Sequence, residues 1–396
     1  MKHPSVLIAG YPYVRGNYLN TFRNSLKKND VLFLLPDLWK VKKGKVVYRP
    51  PKDTNIFTTP TYFHHSDYPI LGGLLKGWMP FFPVVLYRLK RRYKIKVVFS
   101  PLEPVLLSTL YQGFWACIMG VKHIIFTWEN ISYQDKFHGL NKIIKNLIIQ
   151  LNLMLADGVI CGNRRASDIH QALTDKPIET IPLSGVDTGF FHRGARIGNF
   201  NGKDLSGKTV FAFAGAIGRH KGVFSIIEAM NELRKKIPEC MLILAGSGED
   251  ERELDDRIQK LDIRDVVIQV PWVNHDTLKT VLSAADIFLY PSRSGEGWEE
   301  QFGYSMAEAS SMELPIISTR SGSIGEVVSD GTTGILIPAD DTGALIEAML
   351  RLAGDVEGRL SMGRAGRQFI VNNYSYATVE KKFISFFRKF DGTILS

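Results

Sequence analysis

Cysteine is scarce in this chain of 396 residues: Cys117, Cys161 and Cys240 lie far apart and never in a Cys-x-x-Cys spacing. This argues against a disulfide framework and a zinc ribbon, and a reducing, cytoplasmic setting is the default. No Asp-x-Asp occurs, so a dedicated carboxylate site for a divalent cation has no support. Long apolar runs are also missing. The N-terminal run after Lys2 is too short for the core of a signal peptide. The longest uncharged stretch, Pro104–Val121, contains Ser, Thr, Tyr, Gln and two Gly, and reads as a buried helix rather than a membrane span. No repeat or low-complexity tract is visible. What is present, 45% apolar and 22% charged residues, is a globular composition that rules out disorder, collagen and coiled coil.

Acidic residues are few in one half only. Residues 1–190 carry 25 Lys and Arg against 12 Asp and Glu, a balance of +13, whereas residues 191–396 stand at −4. A solvated basic surface would account for this, and so would a first half that faces an anionic partner, a membrane leaflet or a nucleic acid.

Apolar, β-rich runs alternate with longer amphipathic stretches throughout, the signature of βαβ units. Strands are expected at 5–9, 31–35, 96–100, 123–127 and 158–161, and again at 210–214, 241–245, 266–270, 286–290, 315–318 and 334–337. Several are continuous Val, Ile, Leu and Phe, as in strands covered on both faces. His192–Gly207 has no periodicity and is rich in Gly, Asn, Arg and Lys, which marks a linker. The expected fold is therefore α/β, with two doubly wound, Rossmann-like domains facing a central cleft.

The most informative window is Tyr290–Pro338. A strand ends in a loop with Gly295 and Gly297, and a helical pattern follows over Phe302–Met312. Backbone N–H groups near Phe302, Gly303 and Tyr304, at the start of that helix, make an anion site. Gly303 allows a ligand close to the backbone. Glu300 and Glu308 flank the helix start at a spacing that lets two carboxylates take hydroxyl donors from two parts of one ligand. Alternatively, Glu300 complements the helix dipole and Glu308 is a surface side chain.

Glu300-Gln301-Phe302-Gly303-x4-Glu308, followed by Leu-Pro-Ile-Ile, Gly322, Glu326, Gly331 and Gly334, resembles the retaining nucleotide-sugar glycosyltransferases of family 4, which have the GT-B fold. Phe213-Ala-Gly215 through Lys221-Gly222 is similar to that family's phosphate loop, and Leu242–Gly248 to its next strand and turn. The resemblance implies an acceptor domain at 1–191, a linker at 192–207, a donor domain at 208–373 and a terminal helix, 374–396, that crosses back to the first domain.

It also implies roles. Glu308 would accept the ribose hydroxyls, and Glu300 would engage the transferred sugar and stabilise positive charge at its anomeric carbon. Lys221 and Arg219 would neutralise the diphosphate, helped by the amides at Phe302 and Gly303. Gly215, Gln301 and Tyr304 complete the donor contacts, and the base would lie on backbone near Pro271, Trp272 and Val273. Gly16, after the first strand, resembles the family's glycine near the phosphates and acceptor, or else is a turn glycine without a ligand. No metal and no other cofactor is expected.

Two departures stand out. The family often has Arg where this chain has Ala216, and Arg219 is the substitute or else a surface Arg. It often has His where this chain has Glu129, which would then contact sugar or acceptor, or be a loop residue. A glycosidase-like double displacement with two carboxylates is the mechanism that the resemblance argues against.

Two basic segments point to the acceptor. Leu74–Lys96 combines Trp78, Phe81 and Phe82 with Arg88, Lys90, Arg91, Arg92, Lys94 and Lys96, which suits a peripheral helix on an anionic leaflet, where each basic residue contributes roughly 1 kcal/mol. Lys136–Leu155 adds Lys142 and Lys145 to an apolar helix, but its Leu and Ile stripe also fits the core helix that the resembled family has there. A cytoplasmic enzyme, peripheral on the inner membrane face and acting on a lipid-linked or glycan acceptor, follows. Nucleic acid binding explains nothing in the 290–338 window. The competing readings are a nucleotide-sugar epimerase and a catalytically silent sugar-nucleotide-binding protein.

Overall fold

A computed structural model describes residues 5–28, 30–41, 46–64, 73–271, 274–295 and 297–390. The chain divides into two compact units, Met1–Gly185 with Tyr376–Ser396, and Val186–Ser375.

The first unit holds strands β1 (Val6–Ala9), β2 (Val31–Pro36), β3 (Trp39–Val41), β4 (Val46–Tyr48), β5 (Ile56–Thr59), β6 (Val97–Ser100), β7 (Lys122–Thr127), β8 (Gly158–Cys161) and β9 (Ile178–Thr180). Seven of these form one sheet in the order β5-β2-β1-β6-β7-β8-β9, with every pairing parallel; β3 and β4 form a separate antiparallel hairpin. Its helices are α1 (Gly16–Leu19), α2 (Arg23–Lys27), α3 (Phe82–Tyr93), α4 (Leu107–Ile118), α5 (Tyr133–Lys136), α6 (Gly139–Leu155) and α7 (Arg164–Gln171).

Alternate residues of each strand serve opposite faces. Val6 and Ile8 pack with Phe33 and Phe99 on one side, while Leu7 and Ala9 pack with Phe82, Leu86 and Leu89 of α3 on the other. The first side is closed by the last helix of the chain, Tyr376–Arg388, whose Val379, Phe383, Phe386 and Phe387 are fully buried there.

The second unit holds a short hairpin, β10 (Asn199–Phe200) and β11 (Lys203–Asp204), and strands β12 (Thr209–Ala214), β13 (Cys240–Ala245), β14 (Val267–Val270), β15 (Ile287–Tyr290), β16 (Ile316–Thr319) and β17 (Gly334–Ile337). The last six form a parallel sheet in the order β14-β13-β12-β15-β16-β17. Its helices are α8 (Val223–Lys236), α9 (Glu251–Lys260), α10 (His275–Ala284), α11 (Tyr304–Ser311), α12 (Thr342–Gly354) and α13 (Val356–Tyr374); the terminal helix above is α14.

All eleven expected strands are present. Three expectations are corrected. The units part at Gly185 rather than after residue 191, because Phe191 is buried in the second unit, where its carbonyl accepts from Ser311 and Arg367. The segment 192–207 accordingly lies inside the second unit and carries the β10–β11 hairpin. The uncharged stretch Pro104–Val121 does form a helix, α4, but Phe114 and Ile118 remain exposed on its outer side, since α4 covers the sheet in a single layer.

Candidate active site

In an open parallel sheet, chain crossovers leave in opposite directions at one pair of neighbouring strands, and groups at the carboxyl ends of that pair surround a crevice. In the second unit the pair is β12 and β15. Gly215 follows β12 and opens the loop to Arg219–Lys221, a single 3₁₀ turn. Gly222 ends that turn with φ +73°, and a Cβ there would lie 2.0 Å from the Pro291 carbonyl oxygen. Only glycine lets the turn pack against the end of β15, and this packing sets Lys221 beside Tyr290.

Lys221 Nζ lies 2.6 Å from Glu300 Oε2, and the Tyr290 hydroxyl donates to the same oxygen at 2.9 Å. The ammonium also sits over two rings, 4.5 Å from Trp298 and 5.2 Å from Tyr290. The His220 ring meets Trp298 edge-on at 4.6 Å between centroids. A largely buried ion pair of this kind is sensitive to loss of either partner. Burial and the Glu300 carboxylate push the Tyr290 hydroxyl far above its ordinary range. Burial, then the Lys221 charge, hold His220 below its usual value.

The Glu300 backbone is pinned from behind. Its carbonyl accepts from the Ser323 N–H at 2.9 Å, and Gly322, at φ +53°, comes so close that a Cβ would stand 2.3 Å from the Glu300 oxygen. The glycine of the Ser321-Gly322-Ser323 turn is therefore a positioning element for Glu300.

The helix after Glu300 starts later than expected. Gly303 takes a left-handed φ of +75° and caps α11, which runs over Tyr304–Ser311, so Phe302 and Gly303 precede the helix rather than open it. Phe302 is buried with its ring against Tyr304 and Tyr374, and Gln301 is half-buried beside it. Glu308 sits on α11, 12% exposed, and burial pushes its carboxyl up to about 8. Its Oε1 lies 3.5 Å from His275 Nε2.

Arg219 shares the turn with Lys221 but takes other partners: its guanidinium pairs with Glu253 and covers Phe224 at 4.5 Å, while its backbone N–H donates to Asp250. Next to this loop, Ile217, Gly246, Gly248, Arg252, Gln269 and Pro271 line a cavity of about 600 Å³. Trp272 and Val273 lie outside the described residues.

Two expected site residues belong to the first unit. Gly16 opens α1 with open space beside its Cα. Glu129 follows β7 and is held at 2.5 Å by Lys136. Next to it stands a carboxylate that the sequence reading missed. Glu103, after β6, accepts from the Thr127 hydroxyl at 2.7 Å and from the Trp128 N–H at 2.8 Å. Burial outweighs those donors and pushes it up to about 7. Tyr290, Trp298, His220 and His275 were missed too; only the aromatic residues ending a strand and preceding Glu300 offered a signal.

Among the described residues no group of three or more His, Cys, Asp or Glu is placed to hold a metal ion. Among them, too, no helix is long and apolar enough to cross a membrane.

Residues 199–369 match the family described as glycosyl transferases group 1. Over most of its length the second unit is thus similar to group 1 glycosyl transferases. The chain is 30% identical over 238 residues to the 2-deoxystreptamine N-acetyl-D-glucosaminyltransferase of Niallia circulans, covering 58% of each chain. It spans about half the length of the curated relatives it matches. Among solved structures, sucrose-phosphate synthase from Thermosynechococcus elongatus is similar over 98% of both chains, with a TM-score of 0.72 at 17% identity. Anabaena HepE, crystallised with UDP and glucose, is similar over 97% of this chain and 99% of its own, with a TM-score of 0.66 at 14% identity. The fold is GT-B, built from two parallel-sheet, Rossmann-like domains.

Proposed function

We propose that the chain is a retaining glycosyltransferase that moves a sugar from a nucleotide-diphospho-sugar to a lipid-linked or glycan acceptor in cell-envelope polysaccharide or glycolipid synthesis. It works without a bound metal, in the cytoplasm and at the membrane surface. The observation that carries this reading is the Lys221–Glu300–Tyr290 constellation at the crevice of the second sheet, inside the segment that matches group 1 glycosyl transferases. A cation and a carboxylate stand 2.6 Å apart there. An arriving diphosphate takes Lys221 as its counter-charge and releases Glu300 to accept sugar hydroxyls.

Glu300 then faces the positive charge that develops at the anomeric carbon, and Lys221 faces the negative charge on the leaving diphosphate. The bond from the anomeric carbon to the diphosphate oxygen breaks, and the bond to the acceptor oxygen forms on the same face. The acceptor proton passes to the departing diphosphate oxygen. Glu308, as carboxylate, takes the ribose hydroxyls, and the cavity between Ile217 and Pro271 has the volume of a nucleotide subsite.

Thermal unfolding with UDP, GDP, ADP or CMP, without metal, tests this. One nucleotide at a hundred times its dissociation constant stabilises by about 2.7 kcal/mol, and Lys221→Ala abolishes that shift. If none of the four moves the transition, the donor site is wrongly assigned. An inverted anomeric configuration in the product, read by NMR, would sink retention alone.

A further inference from the structure

We infer that the outer surface of the helix layer α3, α4 and α6 docks on an anionic lipid bilayer, with the exposed apolar stripe of α6 as the part that enters it. The inference deepens the acceptor half of the proposed function and rests on it only for the acceptor's lipid chemistry.

Helix α6 has two apolar faces. Ile148, Ile149 and Leu153 point inward and are buried. On the opposite side Leu140 is 72% exposed, Ile143 66%, Leu147 56% and Met154 65%, with Ile144 exposed beside them. These positions follow the i, i+3, i+4, i+7 rule of a continuous stripe. A soluble surface helix normally carries polar residues there, and so large an apolar patch marks an interaction site. The core reading of Lys136–Leu155 thus holds for the Ile148, Ile149 and Leu153 side of the helix, and the second apolar stripe lies outside it.

The stripe is not isolated. Helix α4 packs beside α6, and α3 beside α4. Phe114 and Ile118 of α4 are exposed, as are Val84 and Tyr87 of α3.

Charge selects the occupant. Helices α3, α4 and α6 contain no Asp or Glu. Residues 73–156 carry eleven Lys and Arg against three acids, of which Glu103 is enclosed by Thr127 and Trp128 and Glu129 is neutralised by Lys136. Apolar side chains bordered by Lys and Arg match the acyl and headgroup layers of an anionic leaflet. A second copy meeting the same surface across a two-fold axis would set cation against cation. The stripe runs from Leu140 to Met154 on a helix of 17 residues whose other side packs against the sheet, so it lies in the plane of the interface rather than crossing it.

The test is flotation of the whole protein with vesicles of phosphatidylcholine alone and of phosphatidylcholine mixed with phosphatidylglycerol, alongside sedimentation velocity without lipid. The protein should float with the mixed vesicles about tenfold better than with the neutral ones, and added salt should weaken this. Ile143→Asp/Leu147→Asp should lose about tenfold in flotation while keeping its nucleotide-induced thermal shift; Ile143→Ser/Leu147→Ser serves if the acidic variant does not fold. Arg88→Glu/Arg91→Glu should lose the preference for phosphatidylglycerol. Flotation with neither vesicle, or unchanged flotation of the stripe variant, overturns the inference. So does a dimer that the stripe variant dissociates while lipid binding is absent. Flotation without any nucleotide shift leaves this surface standing and overturns the donor-site assignment.

Discussion

At the crevice of the second sheet Lys221 and Glu300 meet at 2.6 Å with side chains 12% and 10% exposed; after β7 of the first unit Lys136 and Glu129 meet at 2.5 Å with 29% and 10%. The two pairs look alike in geometry and differ in what surrounds them. Lys221 is enclosed by Trp298 and Tyr290, and the backbone of Glu300 is locked by Gly322 and Ser323. Lys136 ends the short helix α5 and reaches Glu129 from a more open side. One pair is a buried device fixed by glycine turns, the other a partly solvated strap across a loop.

The sharpest way to break that comparison is to remove each cation. Lys221→Met leaves Glu300 buried without a counter-charge and should cost about 3–5 kcal/mol in the second unit. Adding Glu300→Gln should recover most of that loss. Lys136→Met should cost about 1 kcal/mol in the first unit, because water reaches that pair. Urea unfolding followed separately for each unit checks both values, since two units need not unfold together. Equal losses would mean that the surroundings do not matter as argued.

The same contrast explains what the sequence disclosed. The eleven expected strands were legible because their runs of Val, Ile, Leu and Phe are largely buried, even in β14 and β17 at the edges of the second sheet. Short β5 and β9 lie at the sheet edges with Thr and Glu among few apolar residues, and β3, β4, β10 and β11 belong to small hairpins outside the main sheets. Glu300, Glu308 and Lys221 were legible because their local spacing survives in the chain. Tyr290 and Trp298 converge on Lys221 only through packing, and Glu103 meets Thr127 and Trp128 only through the β6–β7 neighbourhood. The apolar stripe of α6 was visible as periodicity, but periodicity does not say which side the sheet covers.

Protonation separates the units by a smaller effect. Glu308 is pushed up to about 8 by burial, whereas Glu103, with two donors on its oxygens, reaches about 7. A carboxyl raised in the folded state binds its proton on folding. Without ligand, its contribution therefore favours the fold below the unfolded value near 4.5 and weakens as pH rises towards 8. Accepting ribose hydroxyls requires the carboxylate. Nucleotide affinity should then rise with pH from 6 to 8, by up to about tenfold per unit, and level off above. Titration calorimetry across that range should show a proton released on binding, and Glu308→Gln should bind weakly with no such slope. A flat profile in the native protein would place the ribose elsewhere.

The smallest effect concerns Arg219, where resemblance and structure point in different directions. Resemblance makes it a second cation for the diphosphate. The structure turns it towards Glu253 and Phe224, half-exposed, although it shares a turn with Lys221 of the Lys221–Glu300 pair. An exposed pair of this kind contributes under about 1 kcal/mol, so Arg219→Ala should barely change stability. If Glu253 keeps the guanidinium when the donor arrives, nucleotide affinity should fall less than about threefold, because a charge held by its own carboxylate adds little field at the phosphates. A loss beyond about tenfold, near 1.4 kcal/mol, would mean that the diphosphate draws Arg219 away from Glu253. In that event Glu253→Gln, which frees the guanidinium beforehand, should tighten nucleotide binding rather than leave it unchanged, and the second unit would hold two competing cation switches instead of one.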